Sequence, residues 1–169
     1  MEAWPPFRIV AATSEDVGQL LGMIEALADY EKLRHLCVAN EAGLHAALFG
    51  ARPAAEVILG WEGSRPVAFA LFFHNFSTFL GRKGLYLEDL FVQPAFRRRG
   101  YGRALLVQLA RIAVERDCGR FEWAVLDWNA PAIEFYQSLG AAIMPDWRIS
   151  RVTGPALYKL AAQPLLGTR

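Results

Sequence analysis

The sequence predicts an α/β fold in α+β layers, a mixed central sheet flanked by helices, and three observations carry that expectation. Strand-like and helix-like segments follow one another in the order βα(α)βββαβαβ. The run Val67-Ala68-Phe69-Ala70-Leu71-Phe72-Phe73 is apolar without interruption, as a strand covered on both faces requires. The apolar segment 85–92 then passes through a basic, glycine-bearing turn into the first turn of an amphipathic helix. With 169 residues, 54% of them hydrophobic and 12% aromatic, the chain suffices for a single domain over 1–169, its core at about 7–160 and its tail frayed.

Residues 7–11 alternate enough for a first strand. Thr13 to Asp16 has the form of a capping box, and Val17, Leu20, Leu21, Ile24, Leu27 and Ala28 repeat with the period of a helix ending near Tyr30 and Glu31. Asn40 is placed to cap a second helix through Leu44 and Leu48, stopped by Gly50 and Pro53. Residues 56–61 and 66–74 form a hairpin about Glu62-Gly63-Ser64, followed by a loop over 75–83 and a strand over 84–92. The helix over 98–117 buries Leu105, Leu109, Ile112 and Ala113, with Gly119 as its stop. Residues 121–126 make another strand. Asn129 caps a short helix with Pro131 in its first turn and Gly140 at its end, and 156–160 is expected as a final strand.

Eighteen basic against seventeen acidic residues leave a net charge of +1, which excludes binding to nucleic acid through bulk charge. No apolar run reaches the ~18 residues of a membrane span. The N-terminal residues, with Glu2 and two prolines, lack the basic-then-apolar order of a secretion signal, so a soluble, cytoplasmic protein is expected. Cys37 and Cys118 are isolated and His35, His45 and His74 are scattered, so no metal site is expected.

Chemistry is concentrated where the strand meets Arg97-Arg98-Arg99-Gly100-Tyr101-Gly102-Arg103-Ala104. The first four N–H groups of a helix have no partner within it, and the aligned peptide dipoles place about half a positive charge there, so a helix opening suits a phosphate. Gly100 and Gly102 remove β-carbons that would hold a bulky anion off the amides, while Arg97, Arg98, Arg99 and Arg103 bring guanidinium charge. The cluster is local and fits one compact anion.

Glu88-Asp89, Arg97-x-x-Gly100-x-Gly102 and Asp127-Trp128-Asn129-x-Pro131-x-Ile133-x-Phe135-Tyr136-x-x-x-Gly140, in that order, resemble the GNAT superfamily of acetyl-CoA-dependent N-acetyltransferases over about residues 7–160. The segments around Glu88 and Tyr136 are most similar to the diamine (spermidine/spermine) branch and its thialysine-acetylating relatives. The resemblance implies a GNAT-type fold with splayed middle strands and acetyl-CoA as co-substrate, without a metal. Its pyrophosphate would lie on Arg97, Gly100 and Gly102 and on the amides of Arg98, Arg99, Tyr101, Arg103 and Ala104. Its pantetheine arm would pair with Phe91 and Val92, and Asn129 and Tyr136 would also touch it.

Acetyl transfer to an amine requires a neutral nucleophile and a proton for the departing thiolate. An alkylammonium has a pKa near ~10.4, so a base must take its proton. The resemblance gives Glu88 that role through water and Asp89 a share in attracting the cation. On a regular strand these two neighbours point to opposite faces. Tyr136 is the implied general acid: a phenol of pKa ~10 is protonated at neutral pH and can protonate a thiolate of pKa ~8.5. Tyr30, Glu31, Trp128 and Trp147 are implied as walls of the amine slot, where carboxylates and aromatic faces suit a cation.

The segment Phe76-Ser77-Thr78-Phe79-Leu80 lacks the acidic residue that the polyamine enzymes would use for a second ammonium group, which leaves short diamines, lysine analogues or other small amines. Direct attack in a ternary complex is expected, because no cysteine lies in a motif that supports an acetyl-enzyme. The alternative from another class is a non-catalytic acetyl-CoA-binding regulatory module of the same fold. The resemblance also implies a homodimer with 156–160 near its interface.

Overall fold

The computed structural model describes residues 6–165; residues 1–5 and 166–169, including the end of the expected frayed tail, lie outside the described residues. The described chain falls into two compact units, one ending at Ala124 and the other beginning at Val125.

The first unit is built on five strands in the spatial order β1 (Phe7–Ala11), β2 (Glu56–Glu62), β3 (Arg65–Ser77), β4 (Arg82–Val92), β5 (Phe121–Trp123). The first four are antiparallel to their neighbours, and β5 runs parallel to β4. Antiparallel neighbours need only tight turns, here with Gly63 (φ 59°) and Gly81 (φ 62°) in the left-handed region. The loop expected over 75–83 is therefore shorter: β3 runs on to Ser77 and β4 starts at Arg82. The parallel step from β4 to β5 requires a crossover, supplied by the helix α3 (Tyr101–Glu115).

The helices α1 (Val17–Tyr30) and α2 (Glu41–Phe49) cover one face of the sheet. Leu20, Met23 and Leu27 of α1 and Leu48 of α2 pack with Val57, Leu59, Phe69 and Phe91 in one buried cluster. Fully burying each such side chain contributes about 1.5–3 kcal/mol. The opposite face carries Phe72 and Leu87, and α3 lies there, with Leu105 and Leu109 inaccessible and Arg116 at its end over the Phe72 ring at 5.8 Å.

Helix ends follow local chemistry. Asn40 Oδ1 accepts from the Gly43 N–H at 2.9 Å, as its capping position predicts. The Thr13 N–H donates to Asp16 at 2.8 Å ahead of α1. At the other end, α1 and α3 close on left-handed residues, Lys32 (φ 62°) and Asp117 (φ 55°), with Leu33 N–H reaching the Ala28 carbonyl and Cys118 N–H that of Ala113, both at 2.8 Å. Asp117, not Gly119, is thus the stop of α3. Strand β5 is also shorter than expected, three residues in place of six.

The second unit contains α4 (Ala130–Ser138) and α5 (Gly154–Ala161). Gly140 (φ 92°) ends α4 as predicted. The strand expected over 156–160 is instead α5. Thr153-Gly154-Pro155 is a helix-opening sequence, with Pro in the first turn where no N–H is needed, and Leu157, Leu160 and Ala161 share one helical stripe.

Candidate active site

The ladder between β3 and β4 runs in register to Phe72–Leu87 and resumes at Leu71–Asp89, so Glu88 is an extra residue with no partner on β3. This is a β-bulge. Leu87 stands opposite Phe72 and Leu90 opposite Ala70, so both turn to the α3 face. The two residues between them, Glu88 and Asp89, then share the other face, the one covered by α1 and α2. The expectation that they point to opposite faces is corrected by that one inserted residue.

Electrostatics agree with this placement. Glu88 is exposed and Asp89 half-buried. Burial, then the negative charges of Glu88 and Glu31, push the Asp89 carboxyl up to about 6. Glu31, the residue that caps α1, is itself raised by burial. Three carboxylates thus converge on one patch, where a cation would relieve their mutual repulsion. Among the described residues, no group of three or more His, Cys, Asp or Glu side chains is arranged to hold a metal ion.

Just before the bulge the sheet opens. Strands β4 and β5 pair only at Leu85–Phe121, Tyr86–Glu122 and Leu87–Trp123. From Glu88 to Val92 the outer edge of β4 carries no neighbouring strand among the described residues, an edge on which an extended ligand could pair, although the Val92 carbonyl accepts from Arg97 Nε. The Phe91 side chain lies in the buried cluster, and because the Gln93 N–H donates to the facing Val67 carbonyl at 2.9 Å, the alternation of the antiparallel ladder turns the Phe91 backbone toward β3 and that of Val92 toward this edge.

Beyond β4 the chain bends through two left-handed residues, Arg98 (φ 64°) and Gly100 (φ 83°), into α3. The first helical bond is from the Ala104 N–H to the Gly100 carbonyl at 2.9 Å, and no side chain caps the helix. The amides of Tyr101, Gly102 and Arg103 therefore head the helix without an intrahelical acceptor. A β-carbon at Gly100 would meet nothing within 4 Å, so the approach to these amides is open. This cradle fits a diphosphate.

The arginines divide their tasks. Arg97 donates from Nε to the Val92 carbonyl at 3.0 Å and lays its guanidinium over the Tyr30 ring at 4.5 Å, joining the turn to the end of α1. Arg99, expected around the anion, is committed elsewhere: its Nη1 donates to both carboxylate oxygens of Glu62 at 2.9 and 2.8 Å. Tyr101, also expected at the cofactor, donates its hydroxyl to the same carboxylate and stacks on Phe7 with ring centres 3.9 Å apart. Arg103 lines a shallow groove with Phe7, Ala104 and Arg111. Glu62 and Phe7 carried no signal in the sequence: one is a turn residue 37 positions from Arg99, the other a strand residue.

In the second unit, Tyr136 lies on α4 with Phe135 beside it at 5.4 Å. Asn129 occupies the capping position of α4, but its side chain makes no capping bond and is buried. Trp128 is half exposed, and Trp147 is 75% exposed.

A strand with a bulge, an open sheet edge and an uncapped helix opening in direct succession belong to an acyl-transfer scaffold. Residues 38–141 match the Acetyltransferase (GNAT) family, and the chain belongs to that family. It is similar to an L-ornithine N5-acetyltransferase of Arabidopsis thaliana, 35% identical over 90% of this chain and 87% of that one. It is 36% identical to a thialysine N-epsilon-acetyltransferase of Mus musculus over 92% of this chain and 98% of that one. An integron cassette protein from the mobile metagenome of V. cholerae shares the fold, with a TM-score of 0.79 and 27% identity over 93% of this chain and 98% of that one. The protein is an N-acetyltransferase of this family. Among its described residues no helix is long and apolar enough to cross a membrane.

Proposed function

We propose that this N-acetyltransferase transfers acetyl from acetyl-CoA to a primary amine of a small cationic substrate, a short diamine or a lysine- or ornithine-like amine, by direct attack in a ternary complex. The observation that carries the reading is the bulge that sets Glu88 and Asp89 on one face beside Glu31, immediately ahead of the open edge of β4. The names of the similar enzymes, which act on ornithine and thialysine, support the substrate class.

In this reading the amides of Tyr101, Gly102 and Arg103, with Arg98 and Arg103, hold the diphosphate, and the edge of β4 at Val92 aligns the pantetheine arm. Bound acetyl-CoA supplies the activated acetyl group. Asp89 and Glu31 draw in the alkylammonium, with Tyr30 beside them. Glu88, exposed to water, takes the proton that the amine must lose before its lone pair can attack. Tyr136 gives its phenolic proton to the departing thiolate. Two copies of the chain act as a homodimer, although the C-terminal strand from which pairing was expected is the helix α5; the mass by light scattering tests this part.

The roles are tested by rates of coenzyme A release with ornithine or thialysine. Glu88→Ala and Tyr136→Phe are each expected to lower kcat by about 10²–10⁴-fold, the range for loss of an acid–base group. Unchanged rates in both would remove the assignment.

A further inference from the structure

We infer that Glu62 is a positioning residue for the acetyl-CoA site: its carboxylate, at the end of β2, holds Arg99 and Tyr101 so that the turn between them keeps its amides uncapped. This rests on the reading that the head of α3 binds the cofactor diphosphate.

Glu62 is 8% exposed at its side chain and Arg99 17%, so the pair is shielded from water. The carboxylate receives Arg99 Nη1 on both oxygens and the Tyr101 hydroxyl on one. Arg99 also donates from Nη2 to the Ala95 carbonyl at 3.1 Å and lies over the Phe96 ring at 4.9 Å. Tyr101 is fixed from its other side by the parallel stack on Phe7, at an interplanar angle of 3°. The two residues that flank Gly100 are thereby anchored to β1 and β2, and the left-handed turn at Arg98 and Gly100 is held from both ends. Removing a shielded counter-charge leaves the buried partner charge poorly compensated, so it shifts toward hydration. Without Glu62, Arg99 and Tyr101 lose their common acceptor, and the turn they fix is the one whose geometry the diphosphate requires.

The same two elements are tied a second time, which supplies the control. Arg116, just past the other end of α3, pairs with Glu56 at the start of β2, with Nη2 to Oε2 at 2.8 Å. That pair fastens the helix to the strand as well, but far from the turn.

Glu62→Gln, Tyr101→Phe and Glu56→Gln are compared by calorimetric titration with coenzyme A and by steady-state kinetics with acetyl-CoA and ornithine. Glu62→Gln is expected to raise the coenzyme A Kd and the acetyl-CoA KM by about tenfold, with kcat and the amine KM within about twofold of wild type. Tyr101→Phe, which keeps the ring stack and the ion pair, shifts Kd in the same direction by less and carries the test if Glu62→Gln does not fold. Glu56→Gln leaves Kd at its wild-type value even where it lowers Tm. Wild-type affinity in both Glu62→Gln and Tyr101→Phe, or equal weakening in Glu56→Gln, overturns the inference while leaving the proposed function intact. Wild-type protein that does not bind coenzyme A at all overturns the proposed function itself.

Discussion

Glu88 and Asp89 are adjacent in sequence and turn to the same side of the sheet, because Leu71 pairs with Asp89 and Phe72 with Leu87, leaving Glu88 as the inserted residue. A bulge lets two consecutive strand residues face one ligand. It comes at a cost to the folded state, since it places a second carboxylate beside a half-buried one.

That cost makes a stability prediction for Asp89→Asn. The Asp89 carboxyl has an ordinary value of 3.8 and is raised to about 6 in the fold. Its contribution to stability is therefore greatest below pH 3.8 and is lost as pH rises through about 6. Removing the charge is expected to stabilise the protein by up to ~3 kcal/mol at pH 8, and by progressively less as pH falls toward 4. Thermal melts across that range check it; a gain that does not shrink in acid contradicts it.

The same group makes the amine KM depend on pH. In the free enzyme Asp89 gains a proton below about pH 6, so the KM for a cationic amine is expected to rise as pH falls through that value. The rise should be absent in Asp89→Asn, whose KM is high throughout. Initial rates over pH 5–8 would show this.

Deleting Glu88 would restore regular alternation along β4, leaving Asp89 opposite Leu71 on the face covered by α1 and α2 and removing the second carboxylate together with the bulge. The deletion variant is expected to keep its far-ultraviolet circular dichroism and to lose coenzyme A release by more than about 10²-fold. Turnover near the wild-type rate would mean that the shared face is incidental.

Gly100→Ala tests the turn. The new β-carbon has open space, so the strain comes from the φ of 83° alone, about 1–2 kcal/mol. Gly81→Ala, at φ 62° with equally open space in the β3–β4 turn, is the control. Both are expected to lower Tm, and only Gly100→Ala to raise the acetyl-CoA KM. An equal rise in both would contradict a special role for the turn.

Much of this was legible in the sequence because it is encoded locally. The periodicity of Val17 to Leu27, the cap at Asn40 and the apolar run through Phe69 each fix an element from its own residues. The strand, turn and helix around Gly100 are likewise continuous in the chain. What escaped depends on distant partners. The bulge at Glu88 is a property of the β3–β4 register and leaves no mark in the Glu88-Asp89 pair itself. Arg99 looks like an anion ligand until Glu62, brought alongside by the β2–β3 hairpin, claims it. At the C-terminus the error was local: Ala156 to Leu160 is short, but its Ala, Leu and Lys favour a helix, and the helix signal sits three residues earlier, at Thr153-Gly154-Pro155.

Acetyl transfer to a side-chain amine is tested by which amines are turned over. Release of coenzyme A thiol from acetyl-CoA should be measured with ornithine, thialysine, lysine and a short diamine, beside the same compounds with their side-chain amine blocked by acetylation. Turnover is expected with free cationic side-chain amines, none with the blocked compounds, and a loss of turnover in Glu88→Ala. No release with any amine, or equal rates for wild type and Glu88→Ala, would contradict that expectation.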